Sequence, residues 1–341
     1  MNDESGELPK VFLSHWDRIE RETVATALAW CGRLESLRPG ARVLIKPNFT
    51  FPFHRPGVTT APDMLRAVTE LLLERGAEVT ICESGPSLDA FSMWGSFEEH
   101  GVLQLREEYG IRVLDLRRES YEHRSFGPKS ELRPVPVPAV LHETDVFISM
   151  PVVKVHCNTI VTLALKNQWG LIPCCKRFLF HYAFDEIVVG INSLLPMEVV
   201  IADGRTVLDE NGPMFGRPKP GHFLAVSNSA GAFDVAVAHL MGFDPEKIQH
   251  IRSAMESGLA PAALSQIEMN ADPIDFRPFR FQLKRNLQNY ASLAGFKSYW
   301  FSRLGWDSVV GELVHKLLYA TKGNPLREAM EERAAQRRSA G

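Results

Sequence analysis

Residues 154–170, KVHCNTIVTLALKNQWG, carry two lysines, a histidine and two asparagines in a run that is otherwise almost wholly apolar. A lysine removed from water is costly unless it is paired with an anion or faces a polar cavity. Lys154 and His156 alternate in an extended segment, so both side chains point to one side of a strand. They would emerge at its C-terminal end, beside the start of the next helix, where open backbone N–H groups favour anions. Asn158 stands where an N-cap belongs, which predicts a helix over 158–170. On that helix Asn158, Thr162 and Lys166 fall at i, i+4 and i+8 and form one narrow polar stripe. Ile160, Val161, Leu163, Ala164 and Leu165 cover the rest, the pattern of a buried helix. The stripe then lines a cavity, or Lys166 finds an acidic partner such as Asp203. The bland alternative has Lys166 reaching solvent along its stem and His156 as a structural histidine.

Lys154, His156 and Lys166 together suit a carboxylate or a phosphate. Proton transfer or isomerisation beside such a group needs a base within reach and a cation for the developing charge. His156 or His181 is the expected base, with Lys154 and Lys166 as electrostatic stabilisers. Substrate-binding positions are expected at Lys46 and Asn48, on one side of the end of the strand VLIKPN, and at His54 and Arg55 in the loop behind it. Thr59, Thr60, Asn158 and Asn167 join them, with Asp203 and Asn211 from the turn-rich stretch IADGRTVLDENGP. The bland reading of that stretch is a surface loop.

Two minor alternatives use the cysteines. His156, Cys174, Cys175 and His181 are chemically suited to zinc or another transition metal, but no standard ligand spacing is present. Cys174 or Cys175 could serve as a nucleophile, its thiol acidified by Lys176 and Arg177. No cofactor is named by the sequence. It holds no C-x-x-C pair for an iron–sulfur cluster, and neither G-x-G-x-x-G nor G-x-x-x-x-G-K-[ST] for a nucleotide.

The elements that must position these groups alternate. ARVLIKPN reads as a buried strand. Thr59-Thr60-Ala61-Pro62 reads as a threonine-capped helix start, followed by Met64, Leu65, Val68, Leu71 and Leu72 at helical spacing and a stop at Gly76. AEVTICES is a second strand, so a parallel strand–helix–strand unit is expected. A helix near 97–109 and a strand over 111–116 extend it. TDVFISMPV, MEVVIADG and HFLAVSN read as further strands, with helices over 185–195 and 230–241. The fold class is therefore α/β, two lobes with mostly parallel sheets and flanking helices, plus a C-terminal helical extension. The boundaries fall at 1–140, 141–270 and 271–341, and the anion pocket is expected in an interlobe cleft.

The third segment differs in texture. Between residues 276 and 325 eight Lys or Arg stand against two acids, and Phe, Tyr and Trp interleave with them. That composition suits a helix lying on an anionic membrane surface. A helical cap packed over the second lobe is the plainer expectation. Residues 327–341 read as a frayed charged helix or tail.

Bulk composition narrows the class. The 341 residues include 38 Lys plus Arg and 41 Asp plus Glu, a net charge of −3, which gives no reason to expect nucleic acid. Five cysteines and an acidic start without an apolar core argue against a secreted disulfide scaffold. The apolar stretch 187–202 is broken by Asn192, Pro196 and Glu198, so no spanning helix is expected. The expected location is the cytoplasm, or the inner membrane face by peripheral contact through 276–325. The expected partner is a small anionic metabolite, with self-association left open. A non-catalytic ligand-binding or membrane-surface accessory protein is the alternative to an enzyme.

The blocks VLIKPN, GVTTAPDMLRAVTELLLERGAEVTICES, TDVFISMPVVKVHCNTIVTLALKNQWGLIP, VVIADGRTVLDENGP and FDVAVAHLMGFDPEKI together resemble the domain of unknown function 362 family. The K-x-H … TLALKN-x-x-G-x-I-P block is the most specific of them. The resemblance covers roughly residues 10–260 and implies no assigned reaction. Some members carry ferredoxin-type cysteine clusters, and this chain resembles the cluster-free ones. Where members often read Cys-Ile-Pro-Gly, Leu171 stands at the cysteine position and Cys174 follows the proline. A weaker, fold-level similarity is to the lactate racemase family, which implies a pocket between two lobes. The nickel cofactor of those enzymes is not carried over.

Overall fold

A computed structural model describes residues 7–86, 90–309, 311 and 325–340. Its strands are β1 (Lys10–His15), β2 (Arg42–Lys46), β3 (Glu78–Glu83), β4 (Arg112–Asp115), β5 (Tyr121–Arg124), β6 (Val135–Pro138), β7 (Val146–Ser149), β8 (Lys154–His156), β9 (Ile160–Thr162), β10 (Met197–Asp209), β11 (Arg217–Ser227) and β12 (Glu268–Met269). The helices used below are α1 (Arg21–Trp30), α2 (Pro62–Glu74), α3 (Met93–Glu99), α4 (Val102–Tyr109), α5 (Pro128–Glu131), α6 (Ala164–Asn167), α7 (Phe184–Ser193), α8 (Ala230–Met241), α9 (Gln249–Glu256), α10 (Leu287–Leu293) and α11 (Tyr299–Trp306).

One ten-stranded sheet runs in the order β12-β1-β11-β10-β7-β2-β3-β4, with the hairpin β8–β9 attached to β10. Its centre, β10-β7-β2-β3-β4, is parallel throughout. The stretches 1–140 and 141–270 do not carry separate sheets. β2, β3 and β4 come from the first and β7 and β10 from the second, and β2 pairs with β7. The chain steps outward from β2 through β3 to β4 and then returns to β7 on the other flank of β2. The topological switch point therefore lies between β2 and β7, and in open α/β sheets ligands bind beyond the strand ends there.

Alternation along each strand sorts the side chains into two layers. Val43, Ile45, Val146 and Ile148 face one core, built with Val24 and Leu28 of α1, Met64, Leu65, Val68 and Leu72 of α2, and Phe97 and Val102 of α3 and α4. Leu44 and Phe147 face the other, with Leu165, Trp169, Phe184, Ile187, Phe233 and Val237. Lys46 and Ser149 follow Leu44 and Phe147 by two residues and so point into that second layer. They are also in register with each other.

Several local expectations are corrected. The helix over 158–170 is instead the β8–β9 hairpin followed by the short helix α6, with Lys154 opposite Thr162 and His156 opposite Ile160. Thr159, Ile160, Val161 and Thr162 are four β-branched residues in a row, which favours a pleated strand over a helix. The N-cap of α2 is Ala61 rather than a threonine, with Pro62 at the first turn as expected. The helix near 97–109 is two helices broken at Gly101, whose φ of 74° lies in the left-handed region. Strand β10 runs six residues past Asp203, with a bulge between Gly204 and Thr206. The terminal segment opens on irregular chain before α10 and α11, and a helix spans Pro325–Ala340. Among the described residues no helix is long and apolar enough to cross a membrane.

Candidate functional site

At the switch point, Lys46 is buried and its Nζ donates to Glu83 Oε2 at 2.8 Å and to the Pro47 carbonyl at 2.9 Å. Glu83 also accepts from the backbone amides of Ser84 and Phe49. This lysine is therefore one half of a closed ion pair, not a free ligand. Gly170 packs directly on the pair: a Cβ there would sit 2.7 Å from Lys46 Nζ and 3.0 Å from Glu83 Oε1. The glycine of the TLALKN-x-x-G block is thus a spacing requirement.

Beside the pair, an amide relay connects the strands. Asn48 Nδ2 donates to Asn167 Oδ1 at 3.0 Å, and Asn167 Nδ2 donates to Ser149 Oγ at 3.1 Å. Asn48 Oδ1 accepts from Lys154 Nζ at 3.0 Å, and the Val58 carbonyl accepts from the same Nζ at 2.7 Å. Lys154 is 1% exposed and no carboxylate pairs with it among the described residues. Burial, then the charges of Lys166 and Lys46, push its pKa well below 10.5. Lys154 therefore holds Asn48 and the 58-loop in place. Thr60 ties the same loop down, its Oγ1 accepting from the Asn48 amide and donating to the Met150 carbonyl.

Lys166 differs. It is half-buried, and its Nζ lies 5.7 Å from the centre of the Phe184 ring. No carboxylate and no hydrogen-bond acceptor contacts it among the described residues. Burial lowers its pKa from 10.5 to about 8, with Arg177 adding to the fall and Cys157 opposing it. The turn that presents it is held from both sides. Leu163, the N-cap of α6, offers no capping side chain, and Asp234 of α8 takes that role, accepting from the amides of Ala164 at 2.7 Å and Leu165 at 3.3 Å. From α7, Asn192 Nδ2 donates to the Leu165 carbonyl at 3.0 Å. The expected pairing of Lys166 with Asp203 does not occur. Asp203 is held by Arg205, which also grips Asp63.

Three imidazoles share the field of Lys166. His156 Nδ1 accepts from the Asn158 amide at 3.0 Å and the Thr159 amide at 3.4 Å. The lone pair of Nδ1 is thereby used, the neutral ring carries its proton on Nε2, and Nε2 has no partner among the described residues. In this tautomer Nε2–H is a hydrogen-bond donor. Burial and then the charge of Lys166 push its pKa well below 6.5. His181 is sandwiched between Phe296, with ring centres 4.3 Å apart, and Trp169 at 5.6 Å. Its pKa falls to about 3 through burial, then Lys166 and Arg177. His250 of α9 is 1% exposed, its Nε2 lacks a hydrogen-bond partner, and burial followed by Lys166 lowers its pKa to about 3.

The terminal segment roofs this group. Arg285 Nε donates to the Cys157 carbonyl at 2.5 Å, Ser292 Oγ donates to Asn158 Oδ1 at 2.6 Å, and Phe296 covers His181. Asn158 is therefore a hairpin turn residue that receives the roof, not an N-cap. Phe281 is buried, and Phe276, Phe279, Phe296 and Tyr299 pack on the second-layer core.

The remaining sequence candidates lie apart. His54, Thr59, Thr60, Asp203 and Arg205 line a cavity of about 310 Å³ at the start of α2, which excludes Lys154, His156 and Lys166. Thr59 Oγ1 accepts from the Arg55 amide and lies 3.2 Å from His54 Nδ1. Arg55 stacks over Phe51 and Phe215. Asn211 sits on the β10–β11 loop, where Gly212 allows close approach: a Cβ there would fall 2.1 Å from the Val155 carbonyl oxygen. Among the described residues no three His, Cys, Asp or Glu side chains gather as metal ligands. Cys174 and Cys175 are half-buried, and the Cys157 thiol is pushed up by burial. Sequence reasoning missed Glu83, Ser149, Asp234 and His250, and it placed Arg177 beside a thiol, whereas its guanidinium donates to Ser84 Oγ and the Gly85 carbonyl. Asp234 left a trace, a lone acid inside an apolar helix, and Glu83 another, an acid closing an apolar strand.

A thylakoid-associated protein of Synechocystis sp. is 29% identical over 238 residues, which cover 67% of this chain and 71% of the relative. The lactate racemase apoprotein of Thermoanaerobacterium thermosaccharolyticum superimposes with a TM-score of 0.40 at 13% identity, over 59% of this chain and 51% of that one. A Thermotoga maritima protein superimposes with a TM-score of 0.32 at 14% identity, over 61% and 56%. The chain thus spans little more than half the length of these two solved structures. The model of the domain of unknown function 362 matches residues 43–239, more than half the chain, and the protein belongs to that family.

Proposed function

We propose that the chain is an enzyme acting on a small metabolite that bears a carboxylate or phosphate, and that it moves a proton next to that group. The observation that carries this is Lys166: a half-buried amine over an aromatic ring, with no protein anion beside it. A substrate anion would supply the missing charge. With a pKa of about 8, the amine also lies near the range a general base needs. Its uncharged form would take a proton from the carbon beside the anionic group and become the ammonium that this group then pairs with. On a carboxylate substrate the electron pair freed from the C–H bond would pass into the carboxylate C=O, and on a phosphate ester into a carbonyl next to that carbon, with His156 Nε2–H as the donor to the developing oxyanion. Return of the proton to either face of the carbon gives an isomerisation or a racemisation. Lys154, Asn48, Asn167 and Asp234 are positioning residues for this site.

The test is binding of two probes, inorganic phosphate and oxalate, by calorimetry, with native mass spectrometry of gently purified protein for a retained small acid. One probe is expected to bind. Lys166→Met is expected to weaken that affinity at least ~10-fold, the loss of one charge-assisted contact, with an unchanged melting temperature. Equal affinity in wild type and Lys166→Met would remove the site.

A second reading sets the chain at a membrane surface. Tyr290, Trp300 and Phe301 stand exposed, and the cyanobacterial relative is described as thylakoid-associated. We infer a location in the cytoplasm, at the inner membrane face where this reading holds.

A further inference from the structure

The segment 281–309 has two faces of different character. One face is the roof described above. On the other, Trp300 is 71% exposed, and Phe301, Leu304, Leu287, Tyr290 and Val309 are also exposed. Trp300, Phe301 and Leu304 stand at i, i+1 and i+4 of α11 and share one side of it, while Tyr299 and Ser302 turn toward the protein. Such a cluster on a free surface marks an interaction site.

Charge decides which partner fits. From Lys284 to Trp306 the sequence holds Lys284, Arg285, Lys297 and Arg303 and no acid. Lys297 and Arg303 are exposed. Across from α11, Lys176 pairs with Asp307 at 2.5 Å, and the charges of Lys176, Arg133 and Arg303 together hold the Asp307 carboxyl below its usual range. Three cations thus surround one carboxylate at the edge of the aromatic patch, and Leu132 of the neighbouring loop is exposed beside Arg133. Lys284 is paired with Glu210 at 2.8 Å, which leaves Lys297, Arg303, Arg133 and Lys176 against the single carboxylate of Asp307. Aromatic and aliphatic side chains flanked by such an excess of cations suit the headgroup region of an anionic bilayer better than a protein surface.

We propose that α11, with Leu287 and Tyr290 of α10, docks on anionic membrane surfaces, with Trp300, Phe301 and Leu304 in the interface and Arg133, Lys297 and Arg303 over the headgroups. This rests on the membrane-surface reading above and names the face and the lipid charge it requires.

Flotation of the full chain with vesicles of pure phosphatidylcholine, and of phosphatidylcholine with 30% phosphatidylglycerol, tests it. The wild type is expected to float with the anionic vesicles only, and the bound fraction to drop several-fold in half-molar salt, where exposed charges are screened. Trp300→Ser/Phe301→Ser/Leu304→Ser and Lys297→Glu/Arg303→Glu should each cut binding at least ~10-fold while the melting temperature holds, because these side chains are exposed. If both variants float like the wild type, the face is wrong although membrane association stands. If the wild type floats with neither vesicle, both the inference and the reading fail. If light scattering instead shows a dimer that the triple variant dissolves, the patch binds a second copy and the lipid assignment is overturned.

Discussion

Lys166 should behave as an unusually reactive amine. Its pKa of about 8, against 10.5 for an ordinary lysine, raises the uncharged fraction at neutral pH by roughly 300-fold. A less basic nucleophile is intrinsically slower. With a Brønsted slope of about 0.4–0.5, as for thiols, the net gain shrinks to roughly 20-fold. Trace labelling with limiting acetic anhydride from pH 6 to 11, read by peptide mass spectrometry, gives this rate and its midpoint for each lysine in one sample. Lys297, which is exposed, is the internal standard. Lys166 is expected to label with a midpoint near pH 8 and to outpace Lys297 at pH 7. Lys46 should remain unlabelled in the folded chain, because it is buried in its pair with Glu83.

Bound anion adds a signed check. A negative group beside Lys166 favours the ammonium form, so saturating phosphate or oxalate should move the midpoint upward and slow labelling at pH 7. A midpoint at or above pH 10 without ligand would mean that the amine stands in water, and the proton-transfer role would go with it. A midpoint near 8 that no anion moves would leave the amine perturbed but unused.

Two further perturbations separate the scaffold from the chemistry. Gly170→Ala places a Cβ within 2.7 Å of Lys46 Nζ and should displace the Lys46–Glu83 pair, lowering stability by about 2–4 kcal/mol in urea unfolding; a loss under about 0.5 kcal/mol, the size of an ordinary surface change, would show that the pair has room to move. His250 is buried with a folded pKa of about 3 against 6.5 for a free imidazole, so its contribution is fully present above pH 6.5 and is lost as the pH falls toward 3; at pH 5 that loss is roughly 2 kcal/mol. His250→Leu should flatten this limb of the stability curve between pH 7 and 5, and an unchanged slope would mean that the imidazole is already charged in the fold.

How much of this was legible in the sequence depended on the range of the interaction. The strand–helix–strand unit around VLIKPN and AEVTICES was readable because its signals, β-branched runs, a proline at the helix start and a stop at Gly76, act over a few residues. The hairpin β8–β9 was misread because Asn158, Thr162 and Lys166 happen to fall four apart. Pairing with β10 through Leu208 and the row of β-branched residues outweighed that spacing. Strand β1 was not legible at all: its place depends on β11, more than 200 residues away. The inward turn of the lysines was readable from the cost of burying charge. Their division of labour was not, because Glu83, which pairs with Lys46, and Asp234, which holds the turn that presents Lys166, come from distant elements.

That division points to a ligand. Four cations, Lys46, Lys154, Lys166 and Arg177, gather where β2 meets β7, and Glu83 is ion-paired with Lys46. Arg177, buried, donates to Ser84 Oγ and to the carbonyls of Gly85 and Ile172, all neutral acceptors. Asp234 spends its oxygens on the backbone of α6, and burial raises its pKa well above the usual carboxylate range. Burial first, and the neighbouring cations after it, make Lys154, Lys166 and the three imidazoles all titrate low. Each depressed group would regain basicity once a carboxylate or phosphate entered. An anion should therefore bind with proton uptake, most strongly above about pH 8, where the free Lys166 amine has lost its proton and the anion-bound amine keeps it. Calorimetric titration of phosphate in buffers of different ionisation enthalpy measures that uptake directly. Binding with no proton exchange at pH 8 would separate the anion from Lys166.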